Sequence, residues 1–400
     1  MRKSHGFTLL ELMITIVVIG ILAAIVLAGV GRAYQSASAA QTKSTILKLH
    51  QIITQRWESF RYRRIPAGTE RGHRDPNTNE FIQLQLDPNE AASYRLKIKR
   101  KLMRMELPDR WSDISAVETG FSSLPVQGVK FRRIDNPQVV VPIDVHVPAP
   151  AIYSAYQNYF NTVSITPSEN LRKPTVHYEA AECLYMIVKI GGVDEDDSFA
   201  HFQEVEKGDV DNDGAPEFLD GWGMPIQFLR WPVGFVDDPR HDSESPYYFG
   251  HLSDIQPPKQ PGEVQEPLEA CKCDAANHHD PFDPRHADTE AYTIFPLIYS
   301  GGPDRKYDIY AGLSDLPDNQ VDDPFHGLRN DGEPCGPYAP TLPFNPFVQM
   351  ATTPKLIGMP RDVQNEPWPF PNSGYGWRAD NAKLEHYDNI HNHAIETNLR

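Results

Sequence analysis

The sequence predicts an α+β protein in which a long N-terminal transmembrane stem helix is followed by an α+β head with long loop insertions. The stem is predicted by residues 12–31, which include no charged side chain, and by residues 33–64, which include no Pro or Gly. The head is predicted by 36 Pro and 26 Gly among 400 residues, a composition that favours short elements and long loops. A chain of this length can bury a core behind a membrane anchor.

The first part of the stem, residues 7–31, is predicted to cross a membrane once. A spanning helix needs roughly 20 apolar residues at about 1.5 Å each, whereas the apolar core of a secretory signal has only about 7–15. Arg2 and Lys3 precede the segment and favour a cytoplasmic N-terminus. We therefore expect a spanning helix and not a cleaved secretory signal.

The second part of the stem, residues 32–65, is predicted to continue the helix outside the membrane. Five apolar side chains recur there at three- and four-residue spacing, namely Ile46, Leu49, Ile53, Trp57 and Phe60. Pro66 and Gly68 end the helix. A single helix from Thr8 to Arg64 has a length of roughly 85 Å at about 1.5 Å per residue.

The head is predicted over residues 66–400, and its first helix has the clearest start signal. Asp87 caps it, Pro88 takes the first helical position and Glu90 follows three residues after the cap. Pro108 ends it. One face is apolar, with Tyr94, Ile98, Leu102 and Met105, and the rest is basic, with Arg95, Lys97, Lys99, Arg100, Lys101 and Arg104. A solvated basic face and a DNA-binding stripe are the two interpretations, and no interleaved aromatic residues support the second.

The later part of the head is predicted to mix helices, strands and two insertions. Helices are expected at residues 152–163 and 175–190, and short strands at 138–141, 226–231 and 293–299. Residues 255–291 and 313–374 have little apolar periodicity and are predicted to be loop-rich insertions.

Charge is divided unevenly along the chain, whose formal net charge is −16. Residues 32–110 contain 16 Lys and Arg against 8 Asp and Glu, whereas residues 111–400 contain 20 against 45. The basic part lies next to the membrane, where it can meet anionic headgroups or acidic neighbours. The acidic part disfavours bulk nucleic-acid binding by the rest of the head.

Glu11 is the residue that a simple membrane anchor does not explain. A carboxylate inside the hydrocarbon end of a helix costs about 3 kcal/mol and indicates a functional role. Residues 3–11 read Lys-Ser-His-Gly-Phe-Thr-Leu-Leu-Glu. This segment closely resembles the class III signal of type IV pilins and type II secretion pseudopilins.

The resemblance implies that prepilin peptidase cuts between Gly6 and Phe7 and methylates the new amine of Phe7. Residues 1–6 are then a cytoplasmic leader peptide. Glu11 is expected to pair with the Phe7 ammonium of a neighbouring subunit, which neutralises a buried charge and sets the register between subunits. The implied partners are like subunits, other pilins or pseudopilins and the inner-membrane assembly platform. Before assembly the protein is expected to cross the inner membrane once, with a periplasmic or extracellular pilin-like head.

An acidic loop at residues 209–220 is the clearest chemical motif of the head. Calcium takes six to eight oxygen ligands, and an EF-type loop presents them from positions 1, 3, 5, 7, 9 and 12, with Gly at position 6. Gly214 stands at position 6. The candidate calcium ligands are Asp209, Asp211, Asp213, the Ala215 carbonyl, Glu217 and Asp220. The alternative is a solvated acidic turn.

Two further segments resemble the major pseudopilin of type II secretion. Residues 220–226, Asp-Gly-Trp-Gly-Met-Pro-Ile, resemble its Asp-Pro-Trp-Gly-Asn-Pro-Tyr strand, and residues 299–304 resemble its calcium-binding Ser-x-Gly-x-Asp-Gly turn. The second resemblance implies Asp304, and less directly Ser300, as metal ligands, although Arg305 replaces the expected Gly. The two segments could share one calcium site, form two sites, or bind calcium only at the acidic loop.

Four cysteines, Cys183, Cys271, Cys273 and Cys335, are candidates for disulfides in an oxidising envelope. The spacing does not define their pairing. A zinc site involving Cys271 and Cys273 with His278, His279 and His286 is the alternative, although this spacing fits no standard zinc motif.

These observations predict a filament subunit and not an enzyme, acting in a type II secretion pseudopilus or a type IV pilus-like filament. The sequence contains no His-Glu-x-x-His, Gly-x-Ser-x-Gly or Gly-x-x-x-x-Gly-Lys motif. The alternative is a membrane-anchored surface binding protein, an adhesin or a DNA-capture subunit, that uses the same signal.

Overall fold

The structure is a computed structural model. It describes residues 9–65, 70–74, 81–86, 88–115, 123–164, 178–191, 198–232, 279–288, 294–307, 309, 390–392 and 395. Within this part of the chain a long N-terminal helix is followed by helices and antiparallel sheets, which confirms the predicted α+β class.

The first helix, α1, runs without interruption over Leu9–Tyr62, a length of 54 residues. Its first half is apolar and exposed; Ile19, for example, is 64% exposed. By length and composition α1 is long and apolar enough to cross a membrane, and its most apolar stretch does not pack against the residues of the head that the structure describes. The predicted stem helix is therefore confirmed to within two residues at its C-terminal end.

The second half of α1 is the central element of the head. The predicted apolar stripe is buried at every position, with Ile46, Leu49, Ile53, Trp57 and Phe60 all at most 4% exposed. The same helix therefore changes from an exposed apolar surface to a buried one along its length.

The helix α2, Pro88–Glu106, begins at the predicted Pro and ends two residues before Pro108. Its predicted apolar face is buried. Two of its basic side chains are also buried in ion pairs, because Arg100 contacts Asp288 at 2.9 Å and Arg104 contacts Asp113 of the short helix α3, Ser112–Ser115. These pairs interrupt the basic face, which weakens the case for a nucleic-acid stripe.

A four-stranded antiparallel sheet lies beside α2, with strand order β1-β2-β3-β4. Its strands are β1, Glu70–Arg74; β2, Phe81–Leu86; β3, Ser123–Arg133; and β4, Val140–Pro148. In β2 buried and exposed residues alternate, the signature of a sheet with one face on the core. The predicted strand at residues 138–141 is thus only the start of a longer hairpin strand.

Two more helices complete the helical part of the head. They are α4, Ala151–Ser164, and α5, Glu179–Ile190, close to the predicted ranges. Nearly all of α5 is buried, including the acidic residues Glu179 and Glu182. A helix in a surface layer exposes one polar face to solvent, whereas α5 is buried on nearly all sides. It is therefore a core helix that places two carboxylates in the interior.

Two small antiparallel sheets follow. Strands β5, Lys207–Gly208, and β6, Glu217–Phe218, enclose most of the acidic loop. Strands β7, Gln227–Leu229; β8, Leu297–Ser300; and β9, Ile390–His391, form the other sheet in that order. The predicted strands at 226–231 and 293–299 therefore exist in shorter form and pair with each other.

A buried arginine joins these layers. Arg230 is 0% exposed, and its guanidinium donates to Asp113 Oδ2 at 2.9 Å and to the Leu107 carbonyl at 2.6 Å. Burial alone would raise the pKa of Asp113, but Arg230 and Arg104 outweigh it and hold the pKa at about 2. The end of α2, α3 and the segment after β7 are thereby held together.

Much of the two predicted insertions, residues 255–278 and 313–374, lies outside the described residues. Residues 279–288, inside the first insertion, form turns that pack against the head. Phe282 meets Trp57 of α1 edge to face, with 4.7 Å between ring centroids. The division of the chain into leader, transmembrane segment, stem and head stays a prediction, since α1 continues through residue 31 without a break.

Candidate functional site

The N-terminal candidate residues lie at or before the start of α1. Gly6 and Phe7 are outside the described residues, and so is the side chain of Glu11, although the backbone of Glu11 is in the first turn of α1. In the helix that follows them, every large apolar side chain from Leu12 to Val30 is exposed. The structure thus describes the helix attached to the predicted cleavage site.

The acidic loop folds back on its own carboxylates. Asp209 Oδ2 accepts a hydrogen bond from the Gly214 N–H at 3.0 Å, and Asp213 Oδ1 accepts one from the Ala215 N–H at 2.8 Å. Asn212 and Gly214 have positive φ angles of 59° and 97°. Asn and Gly tolerate this left-handed region best, so the sequence is suited to this tight turn.

The loop brings four of the predicted ligands together, and a helix adds a fifth acidic residue. Ligand oxygens of Asp209, Asp211 and Asp213 all lie within 4.8 Å of one another. A second group with the same spacing comprises Asp211, Glu217 and Glu182 of α5. Sequence reasoning missed Glu182, because it precedes the loop by 27 residues and belongs to no loop motif.

Several oxygens of these groups are buried without a hydrogen-bond partner. They are Asp209 Oδ1, Glu182 Oε1 and Glu217 Oε1. Burial, with a smaller contribution from the nearby loop carboxylates, raises the pKa of Glu217 to about 8, although the hydrogen bond from the Val210 N–H lowers it. Burial also raises the pKa of Glu182 well above its usual range. Unpartnered buried carboxylates are costly, so the arrangement favours a bound cation or protonation.

Asp220, the predicted twelfth-position ligand, belongs to neither group. Its Oδ1 accepts from the N–H groups of Trp222 and Met224 at 2.8 and 2.9 Å, and its Oδ2 accepts from the Ser300 hydroxyl at 2.6 Å. The structure therefore brings together residues 220–226 and 299–304, the two segments that resemble the major pseudopilin. They meet through a hydrogen bond, and Asp220 uses its carboxylate to hold the turn.

Asp304, the second predicted metal position, is exposed at the end of a single 3₁₀ turn, Gly302–Asp304. Its Oδ1 accepts from the Lys306 N–H at 2.9 Å. Asp304 belongs to neither acidic group among the described residues. Ser300 is buried and donates to Asp220.

The turn after Asp220 rests directly on α1. The Gly221 N–H donates to Thr42 Oγ1 at 2.9 Å, and the Trp222 indole N–H donates to Gln35 Oε1 at 2.7 Å. A Cβ on Gly221 would collide with the Ser38 backbone. The segment that resembles the pseudopilin strand is therefore where the head meets the helix emerging from the predicted membrane segment.

Comparison with known proteins identifies the N-terminal segment. The prokaryotic N-terminal methylation motif matches residues 1–27. The chain carries the class III prepilin signal of type IV pilins and pseudopilins. No curated protein and no solved structure matches the chain.

The prepilin signal, which covers residues 1–27, supports a type IV pilin-like or pseudopilin protein. Proteins with such a signal are structural, are processed by prepilin peptidase and assemble into filaments with other pilins. The apolar α1 that follows the signal fits membrane anchoring. Gly6, Phe7 and Glu11 all lie within the matched residues.

Among the described residues, no cysteine or histidine belongs to a candidate metal group. The Cys183 thiol is free and fully buried on α5, and burial raises its pKa. Cys271, Cys273, Cys335 and His278 lie outside the described residues, so the disulfides and the zinc alternative stay predictions. The rings of His279 and His286 are stacked, with 3.9 Å between their centroids.

Proposed function

We propose that this chain is a structural subunit of a type II secretion pseudopilus, or of a type IV pilus-like filament, that assembles through its N-terminal helix. One observation carries the proposal: the prepilin signal leads into a single helix of 54 residues whose apolar first half is exposed and does not pack against the described part of the head. Burial of that half against the same half of other subunits would remove its apolar side chains from lipid or water.

The resemblance of residues 220–226 to the major pseudopilin supports the pseudopilus over the pilus. The Asp220–Ser300 hydrogen bond joins this segment to the second resembling segment and so strengthens the argument. The head is large. Residues 255–291 and 313–374 are proposed to give this subunit a role that compact subunits do not have.

Calcium is the proposed cofactor of the head. The turn formed by residues 209–217 supports this proposal, because it gathers the carboxylates of Asp209, Asp211, Asp213 and Glu217. Oxygen-rich groups of this kind suit hard cations. Calorimetric titration of the metal-free full chain with calcium tests whether the head binds calcium. If no binding is measured, the calcium proposal is wrong and residues 209–217 form only an acidic turn.

The role of Glu11 in assembly is tested by Glu11→Ala. Without the carboxylate, the Phe7 ammonium of the next subunit has no partner in the apolar core, so filament assembly is expected to fall sharply. Electron microscopy and the yield of sheared filaments from the native host measure the effect.

Glu58→Ala is the matched control, since Glu58 is exposed on the same helix outside the apolar segment. Mass spectrometry of both variants should find a chain that begins at N-methylated Phe7, so that any loss concerns assembly and not processing. Normal filaments built from Glu11→Ala, or a mature chain that keeps Met1, would contradict the proposal.

A further inference from the structure

We propose that helix α5 supplies a calcium ligand: Glu182 binds the cation together with Asp211 and Glu217, in the place that the loop pattern assigned to Asp220. The inference rests on the calcium binding proposed above and specifies which side chains complete it. It makes the cation a link between the core helix α5, which ends at Ile190, and the loop that begins at Asp209.

The carboxylates of α5, β6 and the acidic loop lie close together. Ligand oxygens of Glu182, Asp211 and Glu217 lie within 4.8 Å of one another, as do those of Asp209, Asp211 and Asp213. Asp211 belongs to both groups, so a cation beside Asp211 is near carboxylates of the loop and near those of α5 and β6. Calcium takes six to eight oxygens in flexible geometry, which such a mixed set can supply.

Glu182 and Glu217 also each have one buried carboxylate oxygen without a hydrogen-bond partner. Glu182 is 1% exposed and Glu217 is 0% exposed, yet Oε1 of each has no hydrogen-bond partner. A buried carboxylate oxygen without a partner is costly, and two glutamates of the same acidic group each have one, which favours a positive ion beside them.

The remaining oxygens hold the two glutamates in position. Trp111 donates its indole N–H to Glu182 Oε2, and the Val210 N–H donates to Glu217 Oε2 at 3.1 Å. Each side chain is thus fixed by one oxygen while the other is left for a ligand. Partners that orient ligating carboxylates in this way are typical of metal sites.

Asp220 has the opposite arrangement. Both of its oxygens accept hydrogen bonds, from Trp222, Met224 and Ser300. Moving Asp220 to the loop would leave a buried hydroxyl and two backbone donors without their acceptor. The structure therefore assigns Asp220 to the contact between the loop and β8, and Glu182 to the cation.

The test compares calcium affinity of the metal-free full chain in detergent with that of Glu182→Gln. Terbium, a calcium-sized ion, is used as the probe, because the indole of Trp111 next to Glu182 can sensitise its emission, and calcium then displaces it. Loss of a charged ligand is expected to weaken calcium binding at least about tenfold. Asp211→Asn, which affects both groups, is expected to weaken it by at least as much.

Glu179→Gln is the matched control, since Glu179 is also buried on α5 but accepts from the Trp111 backbone N–H, at 3.2 Å. It should bind calcium like the unchanged chain, and so should Asp220→Asn. Thermal melting gives a further test. If Glu182 binds calcium, Glu182→Gln should melt at a higher temperature than the unchanged chain without calcium and at a lower temperature with saturating calcium. A purely structural role for Glu182 does not predict this reversal.

The outcomes separate the two proposals. If the unchanged chain binds no calcium, the proposed calcium site as a whole is wrong, but the proposal that the chain assembles into a filament still stands. If the unchanged chain binds calcium and Glu182→Gln binds it equally well, or Asp220→Asn is the weak binder, only the assignment of Glu182 is overturned.

Discussion

At the residue scale, Glu179 and Glu182 show how one helix gives two neighbouring carboxylates different roles. Both are buried on α5, one turn apart. Glu179 accepts a backbone N–H from Trp111, whereas Glu182 accepts the indole N–H of the same residue and leaves its other oxygen unpartnered. Burial raises the pKa of Glu179 to about 7.

This pKa predicts a pH dependence of stability. Between the unfolded value of 4.5 and about 7, the folded chain holds a proton on Glu179 that the unfolded chain releases. Stability should therefore fall as pH rises through that window, by roughly 3 kcal/mol in total. Glu179→Gln, whose amide oxygen can still accept the Trp111 N–H, should match the unchanged chain at pH 5 and exceed it at pH 8.

Thermal melting at a series of pH values measures the slope. Glu204→Gln is the control, because the Glu204 side chain is 95% exposed and its substitution should leave the slope unchanged. A Glu179→Gln chain with the same pH dependence as the unchanged chain would show that Glu179 is already ionised at pH 5.

At the element scale, periodicity predicted helices better than strands. The stripe on α1 and the Asp87-Pro88 start signal of α2 repeat over many residues, so they gave ranges close to those observed. Strands β1 and β2 were missed, although Phe81–Leu86 alternates buried and exposed residues. Alternation over six residues is a weak signal, and pairing with distant strands decides whether it becomes a strand.

The contact between the turn after Asp220 and α1 gives an element-scale prediction. Gly221→Ala places a Cβ against the Ser38 backbone, which cannot yield because it is part of a helix. The turn must then move away from α1 and lose the bond from Gly221 to Thr42. We expect a loss of roughly 1–3 kcal/mol in the free energy of unfolding, measured by thermal melting.

Gly223→Asn serves as the control in the same turn. Gly223 has a φ of 81° and no atom within 4 Å of a built Cβ, and Asn tolerates positive φ. It should cost clearly less than Gly221→Ala. Equal costs for the two variants would mean that close packing on α1 is not what selects Gly at position 221.

At the scale of the whole molecule, the acidic loop is connected to the stem. Glu206 lies next to β5 and accepts from Thr45 at 2.5 Å and from Lys48 at 2.9 Å, both on α1. Glu217 in β6 pairs with Gly208 in β5 and belongs to the proposed cation site. A cation in the loop would therefore stabilise the region where the head holds α1.

Removal of calcium should accordingly lower the melting temperature of the full chain in detergent. A ligand that binds only the folded state stabilises it by about 2.7 kcal/mol at a free concentration one hundred times its Kd. The melting temperature should recover when calcium is added back. Asp304→Asn should behave like the unchanged chain, because the exposed Asp304 carboxylate only caps a turn. An unchanged melting temperature after chelation would contradict calcium binding by the head.

The sequence by itself determined the N-terminal signal, the long stem helix and the acidic loop, because each depends on residues that are close together in the chain. The methylation motif occupies residues 1–27, and the loop carboxylates recur at every second position. Only the tertiary structure decided that Asp220 bonds to Ser300 and that Glu182 faces the loop. Those roles depend on which distant elements pack together, and local spacing carries no information about such contacts.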